Sequence, residues 1–138
     1  MPRENVEIVR RATELLSEAY KSGEVTEEIL AQCAPDLELD ASRRVFNPAT
    51  YHGHAGLRRA VSEISDAWED FREEKEQLID VGDKVLALQT IAGRGRASGV
   101  EVRARGALIW TIRDGRVVRV EVFDDQTEAR KAVGLVEE

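Results

Sequence analysis

From residue 100 to residue 112 the sequence alternates. The even positions read Val100, Val102, Ala104, Gly106, Leu108, Trp110 and Ile112, and the odd ones begin Glu101, Arg103 and Arg105. A period of two places the first set on one face of a β-strand, with one dry face and one wet face over its first half. Ala107, Ile109 and Thr111 leave the second half of the other face less polar. Turn chemistry brackets the run, with Ala97-Ser98-Gly99 before it and the hairpin turn Arg113-Asp114-Gly115 after it. A strand over 84–93 precedes it, with Val85, Ala87, Gln89 and Ile91 on one face. A strand over 116–125 follows, with Val118, Val120 and Val122 on one side and Arg119 and Glu121 on the other. Residues 72–81, leading to a turn at Gly82-Asp83, complete a four-stranded antiparallel meander.

The first half of the chain has helical spacing instead. Val6, Val9, Ala12, Leu16 and Ala19 make one apolar stripe on a helix over 4–21, and Gly23 closes it. Thr26 caps a short helix through Cys33, with Glu27 and Glu28 in its first turn, and Pro35 ends it. Leu37-Glu38-Leu39-Asp40 reads as a short strand, and 42–53 as irregular around the Asn47-Pro48 turn. A longer helix over 55–70 carries Leu57, Val61, Ile64, Trp68 and Phe71 on one side. A short helix from Thr127 closes the chain. Helices followed by a meander give an α+β order: a cone-shaped curved antiparallel sheet wrapped around the N-terminal helices and the long helix.

The 138 residues suit a single domain, 1–138, with room for one core and one modest cavity. No apolar run approaches the length that crosses a bilayer, and the start lacks a signal peptide's apolar stretch, so no membrane association is expected. The single Cys33 precludes an internal disulfide and fits a reducing, cytoplasmic setting. A net charge of −7 makes nucleic acid an improbable partner. Arg94, Arg96, Arg103 and Arg105 read as the solvated face of a hairpin rather than an anion site.

Several phrases resemble the SnoaL-like polyketide cyclases and, more widely, the nuclear-transport-factor-two-like fold, a cystatin-like roll that also holds the ketosteroid isomerases. They are Glu7-Ile8-Val9-Arg10-Arg11 in the first helix, Ala34-Pro35-Asp36-Leu37, Asn47-Pro48-Ala49-Thr50 with Gly53-His54-Ala55-Gly56, Arg113-Asp114-Gly115-Arg116-Val117-Val118, and Ala132-Val133-Gly134-Leu135. The resemblance implies a pocket at the mouth of the cone and, commonly, a homodimer through the sheet face. In such a pair Ala107, Ile109 and Thr111 would form the seam.

The resemblance also implies where catalytic groups would stand. The fold's steroid isomerase uses an Asp base and an oxyanion hole of a Tyr and a protonated Asp. Counting from the turn glycines and by strand parity, those positions hold Ala41, Leu16 and Leu108. The cyclase His and Asp fall at Leu108 and Val122. The Arg and two Asp residues of limonene-epoxide hydrolases fall at Gln89, Ile91 and Val122. None of the three sets is present, which speaks against those reactions.

The expected pocket lining is therefore Leu16, Leu39, Ala41, Tyr51, Trp68, Gln89, Ile91, Leu108, Trp110, Val120 and Val122. It holds hydrocarbon with, at most, the Gln89 amide and one rim acid. That acid, Asp124, shares parity with Val122. It is read either as a general base, if desolvated, or as a strand-end Asp in water or capping the last helix. Asp40 has the opposite parity and would need a bulge to act. His52 and His54 would need a third metal ligand, such as Asp40 or Asp124, so no metal and no cofactor is expected. Tyr51 lines the pocket entrance or only anchors its loop. Cys33 reads as a packed thiol. The expected ligand is a small apolar molecule. The alternative is an isomerase, lyase or cyclase using a non-standard group such as Asp124.

Overall fold

In the computed structural model, which describes residues 2–44 and 47–135, the chain runs α1 (Pro2–Ser22), α2 (Glu27–Ala31), β1 (Cys33–Ala41), β2 (Ala49–His52), α3 (Gly53–Ala67), β3 (Trp68–Val81), β4 (Lys84–Gly95), β5 (Glu101–Arg113), β6 (Arg116–Phe123) and α4 (Gln126–Ala132). The six strands form one sheet in the order β2-β1-β6-β5-β4-β3. The meander from β3 to β6 is antiparallel, as the alternation predicts. β1 joins it in parallel against β6, which the all-antiparallel expectation did not include.

Local chemistry sets the boundaries. The amide of Gly23, at φ +79°, bonds the Ala19 carbonyl at 2.7 Å and stops α1. Thr26 Oγ1 accepts from the Ile29 amide at 3.3 Å and starts α2. That helix ends at Ala31, so Cys33, Ala34 and Pro35 belong to β1 and not to the helix end. Pro35 sits where the β1–β6 register slips between Cys33 and Glu38, so its missing N–H falls where the ladder is already interrupted. α3 passes straight into β3 at Trp68, so Trp68 and Phe71 are strand residues rather than the last turn of a helix. β6 pairs Val117, not Val118, with Ile112, and a slip before Thr111–Arg119 leaves Val118 half-buried.

The sheet has two buried faces. On the inner face Val85, Ala87, Leu108, Trp110, Ile112, Val117 and Val120 meet Val9, Ala12 and Ala19 of α1, Ile29 and Leu30 of α2, and Leu57 and Val61 of α3. On the outer face Leu86, Leu88, Ala107, Ile109 and Phe123 pack with Ala129 of α4, and with Val133 and Leu135.

One expectation fails here. The alternation expects Val100, Val102 and Ala104 on the dry face, but Val100 precedes β5 and all three are exposed, Val100 at 58 % and Val102 at 38 %. Packing begins only at Gly106, because parity fixes a face and not how far its cover extends. Ala107, Ile109 and Thr111 are 1 %, 1 % and 7 % exposed within the single chain. They are buried within the fold of the single chain.

Candidate functional site

Helices α1 to α3 and the inner sheet face enclose a cavity of about 380 Å³, within the size range of small-molecule sites. Leu16, Leu39, Ala41, Tyr51, Trp68, Gln89, Ile91, Leu108, Trp110, Val120, Val122 and Asp124 all line it. Strand pairing explains the convergence: Leu39, Val120 and Trp110 form one inward row across β1, β6 and β5, and Val122, Leu108 and Ala87 form the next. Ala12, Ile29, Leu37, Leu57, Val61 and Ile64 add hydrocarbon from the helices and β1. Tyr20, Trp68 and Phe71 supply an aromatic section, in which Tyr20 meets Phe71 edge-on at 5.1 Å.

Sequence reasoning missed the polar wall. Glu73 lines the cavity, and Lys75 stands beside it on the same face, opposite Gln89. The Lys75 ammonium donates to Gln89 Oε1, and Gln89 Nε2 donates to Glu73 Oε2 at 3.3 Å. The ammonium also lies 5.7 Å from the centre of the Trp110 ring. Burial holds the Lys75 pKa below its usual value, against the opposing pull of Glu73. Burial, with a smaller contribution from Glu73, pushes the Tyr20 phenol well above its usual value, so it stays protonated. β3 slips register between Glu69 and Arg72 and again between Lys75 and Gln77. Asp70 sits at φ +54° within the first slip. Two slips in one strand defeat parity counting, and this hid both residues. The expectation of hydrocarbon with no more than an amide and a rim acid is thus too dry: the β3 wall also brings the Glu73 carboxylate to the cavity.

The remaining candidates separate. Asp124 reaches the mouth of the cavity but is exposed, so it lacks the desolvated setting a general base was expected to have. Asp125, not Asp124, caps α4, accepting from the amides of Thr127 at 2.8 Å and Glu128 at 3.3 Å. Asp40 faces outward, bound to Ser42, Arg43 and Arg119. His52 is exposed and pairs with Glu38 across β1 and β2, whereas a ring nitrogen of His54 meets the Cys33 carbonyl oxygen at 3.2 Å. The two imidazoles do not converge. Among the described residues no three His, Cys, Asp or Glu side chains gather as a metal site would require. The Tyr51 hydroxyl donates to Glu63 at 2.6 Å and accepts from Arg44 at 3.3 Å, so Tyr51 both lines the cavity and ties its loop to α3. Burial pushes the Cys33 thiol up to about 11, which suits a packed thiol and not a nucleophile. Among the described residues no helix is long and apolar enough to cross a membrane.

Comparison with known proteins agrees with this architecture. A family model described as a SnoaL-like domain matches residues 12–120. A nuclear-transport-factor-two-like protein from Burkholderia xenovorans is 21 % identical with a TM-score of 0.75, over 97 % of this chain and 98 % of that one. TerC, crystallised with polyporic acid, is 21 % identical with a TM-score of 0.70, over 94 % of this chain and 98 % of that one. A protein of ketosteroid-isomerase-like fold from Catenulispora acidiphila, in complex with trimethylamine, is 12 % identical with a TM-score of 0.67, over 90 % and 92 %. No curated protein matches the chain.

Proposed function

The chain belongs to the SnoaL-like domain family, and from that premise we propose that its cavity holds a small, largely apolar molecule without using the known catalytic sets of the fold. One observation carries the reading. The positions where relatives' acid–base groups would fall, Leu16, Ala41, Leu108, Ile91 and Val122, open into one hollow and bring hydrocarbon to it. At those positions an enolate would find neither a donor nor a base, and an opening epoxide would find only the Gln89 amide, which stands at the remaining position of the epoxide-hydrolase set and also lines the cavity. Apolar burial in such a space is favourable by roughly 25 cal/mol per Å², enough to hold a flat ring system between Trp110 and the aromatic section. The lone buried Cys33 supports a reducing compartment on the same footing.

Titration with naphthalene, followed by calorimetry, tests the proposal. Saturable binding is expected, and Leu108→Trp and Ala41→Phe, which fill the space from two sides, should each abolish it while the protein still unfolds cooperatively. Absence of binding to the parent chain, or undiminished binding in both filled variants, overturns the proposal. A second reading, turnover of the held molecule, draws on Asp124 at the cavity mouth. It requires that Asp124→Asn abolish turnover of a screened substrate while binding persists.

A further inference from the structure

Tyr20 of α1 lines the cavity, and among the described residues its hydroxyl has no hydrogen-bond partner. The oxygen is not sealed into the packing. It keeps accessible surface, unlike the Trp110 indole nitrogen and the Thr111 hydroxyl, which are buried without a partner. Protein packs round the phenol closely enough to hold it well above its usual value, so that surface belongs to the hollow, and the hydroxyl keeps its proton as a donor. The Tyr20 ring meets Phe71 edge-on at 5.1 Å, and two residues further along β3 the half-buried Glu73 lines the same cavity. Glu73 Oε2 accepts from Gln89 Nε2 at 3.3 Å, whereas Oε1 takes no hydrogen bond among the described residues and also keeps accessible surface. An ionised carboxylate offers about four acceptor sites, so most of this capacity is unused. The Glu73 charge acts on the Tyr20 phenol, yet the two groups do not bond to each other. A free donor and a free acceptor thus border one hollow, within electrostatic reach, with a gap between them.

We propose that Tyr20 and Glu73 form a hydroxyl subsite, which takes a neutral alcohol or phenol group carried on the apolar body of the ligand. The ligand oxygen accepts from the Tyr20 hydroxyl, and its own O–H donates to Glu73 Oε1. Only a group that both accepts and donates satisfies the two sides. A ketone or ether oxygen would take the Tyr20 hydrogen but leave its lone pairs facing the carboxylate. A carboxylate or an enolate would set a second negative charge against Glu73, so the subsite is not an oxyanion hole. An ammonium would add to the positive charge of Lys75, which Glu73 already opposes. The subsite rests on the proposed reading of the cavity and adds to it the class of polar group that is held.

Calorimetry with the full chain at neutral pH would compare naphthalene, 2-naphthol, 2-methoxynaphthalene and 2-naphthoate, which share one ring system. The naphthol should bind about tenfold more tightly than the hydrocarbon, the worth of roughly one net hydrogen bond. The ether should gain less than about threefold, and the naphthoate should bind more weakly than naphthalene. Tyr20→Phe and Glu73→Leu should each cut the advantage of the naphthol to less than about threefold and leave naphthalene binding within about twofold. Should either variant fail to fold, the other variant and the ligand series on the parent chain decide. Equal affinity for naphthol and naphthalene would mean that the gap holds only a water. That result, an ether bound as tightly as the naphthol, a preference for the naphthoate, or an advantage that survives either variant overturns the subsite and leaves the cavity reading intact. If none of the probes binds, both fall.

Discussion

On the outer face of the sheet, Asp40 accepts from the Ser42 amide at 3.0 Å, the Ser42 hydroxyl at 2.5 Å and Arg119 at 3.0 Å. Arg119 also meets Glu38 at 3.3 Å and Glu121 at 3.8 Å, and Arg43 bridges Asp40 and Glu121 while lying 4.4 Å over the Phe123 ring. On the inner face Lys75, Gln89 and Glu73 form a shorter chain whose ammonium lies 5.7 Å from the centre of the Trp110 ring. Both faces bury polar groups beside apolar ones. In the outer network each carboxylate meets a cation within the chain, although Arg119 Nε and the Thr111 hydroxyl on that face are buried without a hydrogen-bond partner, and such a network adds order and stability. The inner one is smaller and stands in a wall whose remaining lining is mostly hydrocarbon, which leaves that face free to hold an apolar body.

The largest test of this contrast is Ile109→Glu. Ile109 is 1 % exposed in the outer apolar cluster covered by α4. A carboxylate there would be buried without a partner, and the loss should be about 4 kcal/mol or more in urea unfolding. The alternative, in which this face is an interface between copies, requires the variant to fold normally and halve its mass in light scattering. That result would break the assignment of the outer face to stability alone.

Asp40→Asn probes the outer network itself and should cost roughly 1–2 kcal/mol. The Asp40 carboxyl is held below its usual range, first by the Ser42 hydroxyl and then by the Ser42 amide and Arg119. Its contribution is full above the unfolded value of about 4 and disappears as pH falls through the lower folded value. The stability gap between parent and variant should therefore shrink on acidification below about pH 4. A gap that stays constant with pH would show that the charge of Asp40 adds nothing to its hydrogen bonds.

The inner pair titrates at the other end of the scale. Lys75 is depressed chiefly by burial and partly restored by Glu73. As pH rises, the folded protein loses this proton before the unfolded chain does at about 10.4. The unfolded chain then holds more protons, and stability gains with pH across that interval. Lys75→Met lacks the gain, so the parent should become relatively more stable than the variant as pH climbs toward about 10. Tyr20 works the other way, losing stability as pH rises above its unfolded value, but it is present in both proteins and cancels. An unchanged difference would show that the ammonium is solvated, and would weaken the contrast between the two faces.

How much of this was legible in the sequence differs between strands for a physical reason. β4 and β5 pair without a slip from Lys84–Thr111 to Arg94–Glu101, so parity placed Gln89, Ile91, Leu108 and Trp110 inward correctly. β3 carries two slips and a left-handed Asp70, and counting could not assign Glu73 and Lys75 to either face. The outer apolar row was visible as Ala107 and Ile109. What covers it depends on where α4 docks, a long-range packing choice that local alternation does not encode. Trp110 was readable as a wall residue. That its N–H lacks a partner follows only from the positions of the neighbours, which come from distant strands.

Asp124→Asn should have the smallest effect, and its smallness is informative. Asp124 touches both the cavity mouth and the adjoining surface cleft with Arg105 and Gln126, and its side chain is exposed. Among the hydrogen bonds and ion pairs of the described residues none ends on its carboxylate, whereas Asp125, one position on, carries the cap of α4. Replacing its charge should leave the unfolding midpoint in place, since exposed charges away from special features shift stability by at most about 0.5 kcal/mol. Binding of naphthalene should change by less than about threefold, because water at the rim already screens the carboxylate. A larger loss of affinity would place a contact of the ligand at the mouth. An unaltered affinity accompanied by lost turnover would make the rim acid the reactive group, and the inner wall would then serve to hold the substrate in place for it.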